Sequence, residues 1–237
     1  MESVEARFQK VKTNIEAAAA RSNRSAADIS IVCVTKQAKI DDIVNVVRLG
    51  VFHIGENRVQ EAEKKRAALK IALNETDFLR ITWHLVGHLQ TNKVSRAMGF
   101  ADLIQSVDSV RLAEIINTKA EKAGRHIDIL IQINISGEDS KFGIKGDTLP
   151  AFIEKLMPLS SVRMKGLMGI GPFVDDKEHT RRCFRRLKEM FDSANKILDA
   201  RSCPAMSVLS MGMSDDYEVA IEEGSNMVRI GRAIFGG

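Results

Sequence analysis

The sequence is poor in cysteine and proline, and it has no long apolar run. None of its three cysteines lies in a CxxC or CxxxC spacing, so neither a disulfide framework nor a cysteine zinc site is expected. It has four prolines and no Gly/Ser-rich stretch, so no linker divides the chain. No run approaches the roughly 20 apolar residues of a membrane span, and the N-terminal segment lacks the apolar core of a secretory signal. We expect one domain over residues 1–237, without metal or membrane contact, in a reducing, cytoplasmic compartment.

The charge balance is only moderately basic. The formal net charge is +4 and the sequence pI is about 9.0, which permits weak attraction to anions without requiring a nucleic-acid partner. Two basic clusters, at 64–66 and 181–186, fall on predicted helices. No aromatic residues interleave with them in a way that would support stacking on bases. A nucleic-acid-binding module is therefore a third hypothesis, and solvated helix faces are the simpler interpretation.

Apolar runs rich in β-branched residues alternate with segments of helical period. The predicted strands are 30–36, 51–55, 81–87, 101–107, 127–136, 162–170, 205–210 and 226–231. The clearest predicted helices are 39–50, 57–73, 109–124, 147–157 and 179–200, preceded by an N-terminal helix. Eight βα units in a chain of this length predict an α/β fold, a (β/α)₈ TIM barrel with an extra N-terminal helix. An open doubly wound sheet is the alternative.

In such a barrel, functional groups lie where the strands end at the C-terminal face. The seventh strand runs into SMGMS at 210–214, and the eighth into RIGR at 229–232. The loops after strands seven and eight commonly bind phosphate, and free N–H groups at a helix start favour an anion. Each motif alone is compatible with an ordinary turn. Their occurrence at both expected strand ends favours a phosphate site.

The first strand is strongly apolar and ends on a lysine, in SIVCVTK at 30–36. We expect Lys36 to be partly desolvated, which would lower its pKa and free its amine as a nucleophile. A reactive amine facing a phosphate site suits pyridoxal 5′-phosphate (PLP), whose aldehyde forms a Schiff base with lysine. The alternative is a lysine that leaves the barrel into solvent.

A set of motifs resembles one protein family along almost the whole chain. They are VTK at 34–36, GENRVQEA at 55–62, WHLVGHLQTNK at 83–93, SGEDSKFG at 136–143, GLMGIGP at 166–172, LSMGMSDD at 209–216 and VRIGRAIFG at 228–236. Together they are similar to the pyridoxal phosphate homeostasis (YggS/PROSC) family. That family in turn resembles the barrel domain of alanine racemase, the fold type III group of PLP proteins.

The resemblance implies a role for each site residue. Lys36 would carry PLP as a Schiff base, and Arg229 would meet the pyridine nitrogen. The phosphate would be held by the backbone of Gly231 and Arg232, with Ser210 and Met211. Two further side chains would lie near the ring, namely Asn57 and His84.

The resemblance also implies a non-enzymatic protein that carries or buffers PLP inside the cell. A guanidinium cannot give up its proton, so Arg229 would leave the pyridine nitrogen unprotonated and the ring a weak electron sink. We therefore expect no substantial turnover. The alternative is an amino-acid racemase with a second base other than tyrosine, since Tyr217 is expected on a helix surface and His84 and Lys141 would be the first candidates. The expected partners are PLP and, as recipients, PLP-dependent apo-enzymes, with no nucleic acid or membrane, and the chain is expected to be a monomer or weak dimer.

Overall fold

The chain forms a closed barrel of eight parallel strands, as predicted. The computed structural model describes residues 2–138, 141–172 and 176–236, so positions 139 and 140 of the 136–143 motif lie outside the described residues. The strands are β1 Ser30–Val34, β2 His53–Glu56, β3 Thr82–Leu85, β4 Leu103–Val107, β5 Ile127–Ile133, β6 Val162–Gly169, β7 Val208–Ser210 and β8 Met227–Ile230. Because β1 pairs with both β2 and β8, the sheet has no edge, and the alternative of an open sheet is wrong.

Helices surround the barrel in the expected order. They are α1 Val4–Arg21, α2 Ile40–Arg48, α3 Val59–Ala72, α4 Glu75–Arg80, α5 Val94–Ala97, α6 Val110–Lys122, α7 Leu149–Leu156, α8 Lys177–Asp199, α9 Tyr217–Glu222 and α10 Arg232–Phe235. The N-terminal helix and the five long helices match the predicted segments. The four short ones, α4, α5, α9 and α10, were not predicted because so few residues show no clear helical period.

The N-terminal helix α1 packs on the outside of the barrel against α9 and α10. Its start is fixed by Ser3, whose side chain accepts a hydrogen bond from the Ala6 N–H. Its apolar residues recur at helical spacing, and the buried ones form one stripe: Val4, Phe8, Val11 and Ile15. This stripe covers the two short helices that follow β7 and β8, and so supports the loops at that side of the barrel mouth.

Two layers of side chains fill the barrel interior. The lower layer is an apolar cluster separate from the main core: Val32, Leu103, Leu130, Met168 and Met227. Two residues further along their strands, side chains of the same parity form a buried polar layer that includes Gln105, Gln132 and Arg229. Because side chains alternate between the two faces of a strand, this polar layer faces the interior and lies closer to the C-terminal mouth than the apolar layer does. Among the described residues, no helix combines the length and apolar character needed to cross a membrane.

Candidate active site at the barrel mouth

Lys36 lies in the loop after β1, two residues beyond the end of the strand at Val34. It shares the parity of Val32 and Val34, which places it on the interior side of that strand end. The expectation of partial desolvation is wrong, because Lys36 is exposed. Its amine has no hydrogen-bond or ion-pair partner among the described residues. The structure therefore gives a solvent-accessible amine at the rim of the mouth.

A buried cluster beneath Lys36 fixes the ends of β1 and β2. The Glu56 carboxylate accepts hydrogen bonds from Thr35 Oγ1 at 2.5 Å and from Lys65 Nζ at 2.6 Å. Lys65 also donates to the Thr35 carbonyl oxygen. Glu56 is fully buried and its second carboxylate oxygen has no partner within the described residues. Because Thr35 precedes Lys36 and Glu56 precedes Asn57, this cluster positions both mouth residues.

Arg229 lies on β8, inside the barrel, and is 4% exposed. Its Nη1 donates to Ser210 Oγ at 2.7 Å and its Nη2 donates to the Gly169 carbonyl oxygen at 2.8 Å. Burial lowers the pKa of its guanidinium to about 10, while nearby Asp216 opposes the shift, so Arg229 stays charged at neutral pH. A guanidinium has five N–H donors, and the other three find no acceptor in the described part of the chain. Arg229 can therefore donate to a further acceptor in the site.

The loops after β7 and β8 meet at the start of α10. Ser214 Oγ accepts a hydrogen bond from the Ala233 N–H at 3.2 Å. The backbone N–H groups of Gly231 and Arg232 have no acceptor in the described ranges, as expected where a helix begins. A side chain at position 231 would press on the Val34 carbonyl oxygen, so glycine keeps this approach open. The arrangement gathers two free N–H groups and one hydroxyl, which suits a phosphate.

Ser210 and Met211 both make hydrogen bonds within the protein. The Ser210 hydroxyl donates to Gln105 Oε1 at 2.7 Å while it accepts from Arg229, and Ser210 is fully buried. The Met211 N–H donates to the Met227 carbonyl oxygen at 3.2 Å. Both groups have partners inside the protein, and the phosphate contacts of Ser210 and Met211 stay predictions. Ser214, four residues beyond Ser210, is the serine that reaches the start of α10.

The two residues expected near the ring are separated in depth. Asn57 is exposed at the end of β2 and lines a cavity of about 380 Å³ at the mouth, together with His88 and Phe142. His84 instead lies in the barrel interior and is 1% exposed. Both of its ring nitrogens are occupied, one by His53 and one by Gln105, each at 2.9 Å. His84 therefore belongs to the polar layer, and only Asn57 lies at the rim.

Tyr217 is buried, so its expected place on a helix surface is wrong. It is the first residue of α9, and its Oη accepts a hydrogen bond from Asn14 Nδ2 of α1 at 3.0 Å. Burial raises the pKa of Tyr217, an effect that the Asn14 hydrogen bond partly opposes. Its hydroxyl is thus held between two helices outside the barrel.

The basic clusters are partly neutralised by neighbouring carboxylates. Lys65 is partly buried and forms an ion pair with Glu56. Arg181 pairs with Glu222 at 2.6 Å and with Glu223 at 2.9 Å, and Arg185 pairs with Glu223 at 3.0 Å. These contacts tie α8 to the end of α9, while Lys64, Arg182 and Arg186 of the same clusters are exposed.

Comparison with known proteins places the chain in a family. A family model of the N-terminal domain of alanine racemase matches residues 7–237. A pyridoxal phosphate homeostasis protein of Aquifex aeolicus is 38% identical over 230 residues, which is 97% of this chain and 96% of the relative. One of Haemophilus influenzae is 33% identical over 95% of this chain and 92% of the relative. The chain belongs to the pyridoxal phosphate homeostasis protein family.

Solved structures agree with that assignment. A Bifidobacterium adolescentis protein described as unknown has 34% identity and a TM-score of 0.89, over 98% of this chain and 94% of its own. PipY of Synechococcus elongatus, solved with PLP bound, has 32% identity and a TM-score of 0.78, over 94% of this chain and 100% of its own. An alanine racemase of Clostridium difficile has 18% identity and a TM-score of 0.66 over 95% of this chain and 55% of its own, a likeness of fold alone.

Sequence reasoning missed the side chains that support the site. Gln105 is a polar residue in a fully buried strand, LIQSV, and a buried polar side chain usually has a hydrogen-bond partner inside the protein. Glu56 and His53 carry the same signal on β2. Ser214 was included in the SMGMS motif but was not chosen individually, because the motif does not show which of its serines reaches α10.

Proposed function

We propose that this chain binds PLP at the barrel mouth through a Schiff base on Lys36, and that it carries or buffers the cofactor. The observation that supports this proposal most directly is the pairing of β1 with β8. It puts a solvent-accessible amine after one strand and a buried cation with unused donors on the next. Relatives of similar length are named for PLP homeostasis, and PipY has been solved with PLP bound.

The residues at the mouth fit the chemical groups of PLP. The proposed phosphate contacts are the free N–H groups of Gly231 and Arg232 and the Ser214 hydroxyl, whose hydrogen remains available because its oxygen accepts from Ala233. Arg229 has spare donors for the pyridine nitrogen, which is an acceptor. Asn57, which is exposed at the rim, is proposed to lie near the PLP ring.

We expect this site to hold its cofactor without substantial turnover. Bound PLP supplies an aldehyde that condenses with amines. Arg229 stays protonated, so it can donate to the pyridine nitrogen but cannot give it a proton, which leaves the ring a weak electron sink. Racemisation needs a base on each face of the substrate carbon, and the Tyr217 hydroxyl is engaged in a hydrogen bond with Asn14 of α1. PLP-dependent apo-enzymes are the proposed recipients of the cofactor. Because Lys36 is exposed, an incoming amine could reach the PLP bound there.

A spectral titration tests the assignment of Lys36. Purified protein titrated with PLP should develop a visible absorption band, and Lys36→Ala should abolish that band. Lys39→Ala is the matched control, because Lys39 is also exposed in the same loop and comes just before α2. A band retained in Lys36→Ala, or lost equally in Lys39→Ala, would contradict the role of Lys36.

A pair of serine variants tests the phosphate contacts. A hydrogen bond to a charged acceptor contributes roughly 1.5–3 kcal/mol. Ser214→Ala should therefore weaken PLP binding by about tenfold to a hundredfold and should leave the binding of pyridoxal, which lacks the phosphate, unchanged. Ser210→Ala should weaken both ligands alike, because Ser210 acts through Arg229. The reverse pattern would restore Ser210 as the phosphate ligand.

Proton exchange at the α-carbon tests the absence of turnover. L- or D-amino acids incubated with the loaded protein in deuterated water should gain no solvent deuterium at that carbon beyond the level seen with free PLP. Rapid inversion with deuterium incorporation, abolished by Lys36→Ala, would identify a racemase and overturn the carrier function.

A further inference from the structure

A chain of hydrogen bonds crosses the barrel interior beneath the mouth. Arg229 Nη1 contacts Ser210 Oγ at 2.7 Å, and Ser210 Oγ contacts Gln105 Oε1 at 2.7 Å. Gln105 Nε2 lies 2.9 Å from His84 Nδ1, and His84 Nε2 lies 2.9 Å from His53 Nδ1. Since β7 and β4 are not neighbours in the barrel, the bond between Ser210 and Gln105 spans its interior. The chain thus links β8 to β2.

The direction of every bond in this chain follows from Arg229, which can only donate. Ser210 Oγ accepts from it, and among the described residues Gln105 Oε1 is the acceptor within reach of the Ser210 hydrogen. The Gln105 amide nitrogen then faces His84 Nδ1 and, at 3.3 Å, the sulfur of Met227. Reversing the amide would leave the Ser210 hydrogen without an acceptor. The observed orientation is therefore the one that satisfies every member of the chain.

The direction of these hydrogen bonds also determines which nitrogen of each histidine carries a hydrogen. Because His84 Nδ1 accepts from Gln105, a neutral His84 must carry its hydrogen on Nε2 and donate it to His53 Nδ1. Burial, and then the neighbouring His53, lowers the pKa of His84 to about 3, which keeps the ring neutral. His53, half-buried at the start of β2, ends the chain as an acceptor and lines a cavity with Phe8 and Lys12 at the opposite side of the barrel.

We propose that Gln105 and His84 are positioning residues for Arg229. By fixing Ser210 as an acceptor, they hold one arm of the guanidinium, while the Gly169 carbonyl holds the other. The spare donors of Arg229 are then set in one direction before any ligand arrives. The functional part of this inference rests on the proposed PLP site, where those donors would meet the pyridine nitrogen.

The unliganded protein tests the chain by NMR. Nitrogen-15 spectra of the histidine rings at pH 7.5 should show His84 with an unprotonated Nδ1 and a hydrogen on Nε2. In Gln105→Glu the carboxylate can no longer donate, so His84 should place a hydrogen on Nδ1. Gln132→Glu is the matched control, because Gln132 is a buried glutamine of β5 that donates to the Phe142 carbonyl and does not join the chain. It should leave the His84 tautomer unchanged.

PLP binding then tests the positioning role. Gln105→Met removes the acceptor of the Ser210 hydrogen and should weaken PLP by roughly twofold to tenfold, the range of one neutral hydrogen bond. Asn117→Leu is the control for this assay, because Asn117 is a buried amide of α6 that bonds Glu121 and the Ser161 N–H outside the barrel, and this variant should bind PLP as the unsubstituted protein does. Equal PLP affinities for both variants would overturn the positioning role.

The two proposals fail in different ways. A His84 hydrogen on Nδ1 in the unsubstituted protein overturns the hydrogen-bond chain whether or not PLP binds, and this measurement needs no variant to fold. Failure of the unsubstituted protein to bind PLP overturns the cofactor site and with it the functional part of the inference. In that case the position of the His84 ring hydrogen still decides whether the hydrogen-bond chain from Arg229 to His53 exists.

Discussion

Replacing Lys65 by methionine should strongly destabilise the fold. The side chain of Lys65 is 11% exposed and that of Glu56 is 1% exposed, so their ion pair is shielded from water. Methionine retains the length of the lysine stem but leaves the Glu56 carboxylate with Thr35 Oγ1 alone, and one of its oxygens already has no partner in the described residues. Breaking a buried pair on one side typically costs about 3–5 kcal/mol. For a chain of this size, that corresponds to a melting temperature lower by roughly 6–20 °C.

Urea unfolding followed by circular dichroism measures this effect. The double variant Lys65→Met with Glu56→Gln removes the charge as well as its partner and should recover most of the lost stability. Arg163→Met is the control, because Arg163 pairs with Asp128 at 2.7 Å in an exposed setting, where a pair contributes about 1 kcal/mol or less. If Lys65→Met cost no more than Arg163→Met, the Glu56–Lys65 pair would have to be solvated and the reasoning would be refuted.

Three further predictions concern the barrel core. The pKa of His84 is about 3 in the folded protein and about 6.5 in an unfolded chain, so the stability that neutral His84 contributes is intact above pH 6.5 and is lost as the pH falls toward 3. At pH 5 the loss is about 2 kcal/mol. The urea midpoint should therefore differ less between pH 7.5 and pH 5 in His84→Gln than in the unsubstituted protein. Gly166→Ala should lower the free energy of unfolding by at least the ~1–3 kcal/mol of an overpacked core, because the added methyl would overlap the Val208 carbonyl oxygen. The urea midpoint should fall accordingly, and an unchanged midpoint would mean that β6 shifts freely. Burial raises the pKa of Cys33 to about 12, so a thiol reagent should label half-buried Cys203 in the folded protein and Cys33 only after unfolding; prompt labelling of Cys33 would show that β1 opens.

The fold could be read from the sequence because each strand is a short apolar run bounded by helical segments. The end of the first apolar run also pointed to Lys36, and the family resemblance pointed to Arg229 on the last strand. The strand ends were less well defined. The first strand stops at Val34 instead of 36, since a parallel strand ends where its ladder partners end, and that depends on the neighbouring strands.

The candidate site was predicted only in part, because the sequence gives the position of a residue along a strand but not its bonding partner. Ser210 falls at a strand end, yet its hydroxyl bonds across the barrel to Gln105. Tyr217 follows a loop and looks like a surface residue, yet α1 covers it. Both bonds join residues far apart in the chain, about 105 and 203 positions, and local patterns do not encode such contacts.

The most direct test of the account is to locate the covalent bond. The protein is incubated with PLP, reduced with borohydride, digested, and mapped by mass spectrometry. The account predicts one predominant phosphopyridoxyl group, on the peptide that contains Lys36, and its loss in Lys36→Ala but not in Lys39→Ala. A predominant label on any other lysine, or an equal distribution over several exposed lysines, would contradict it.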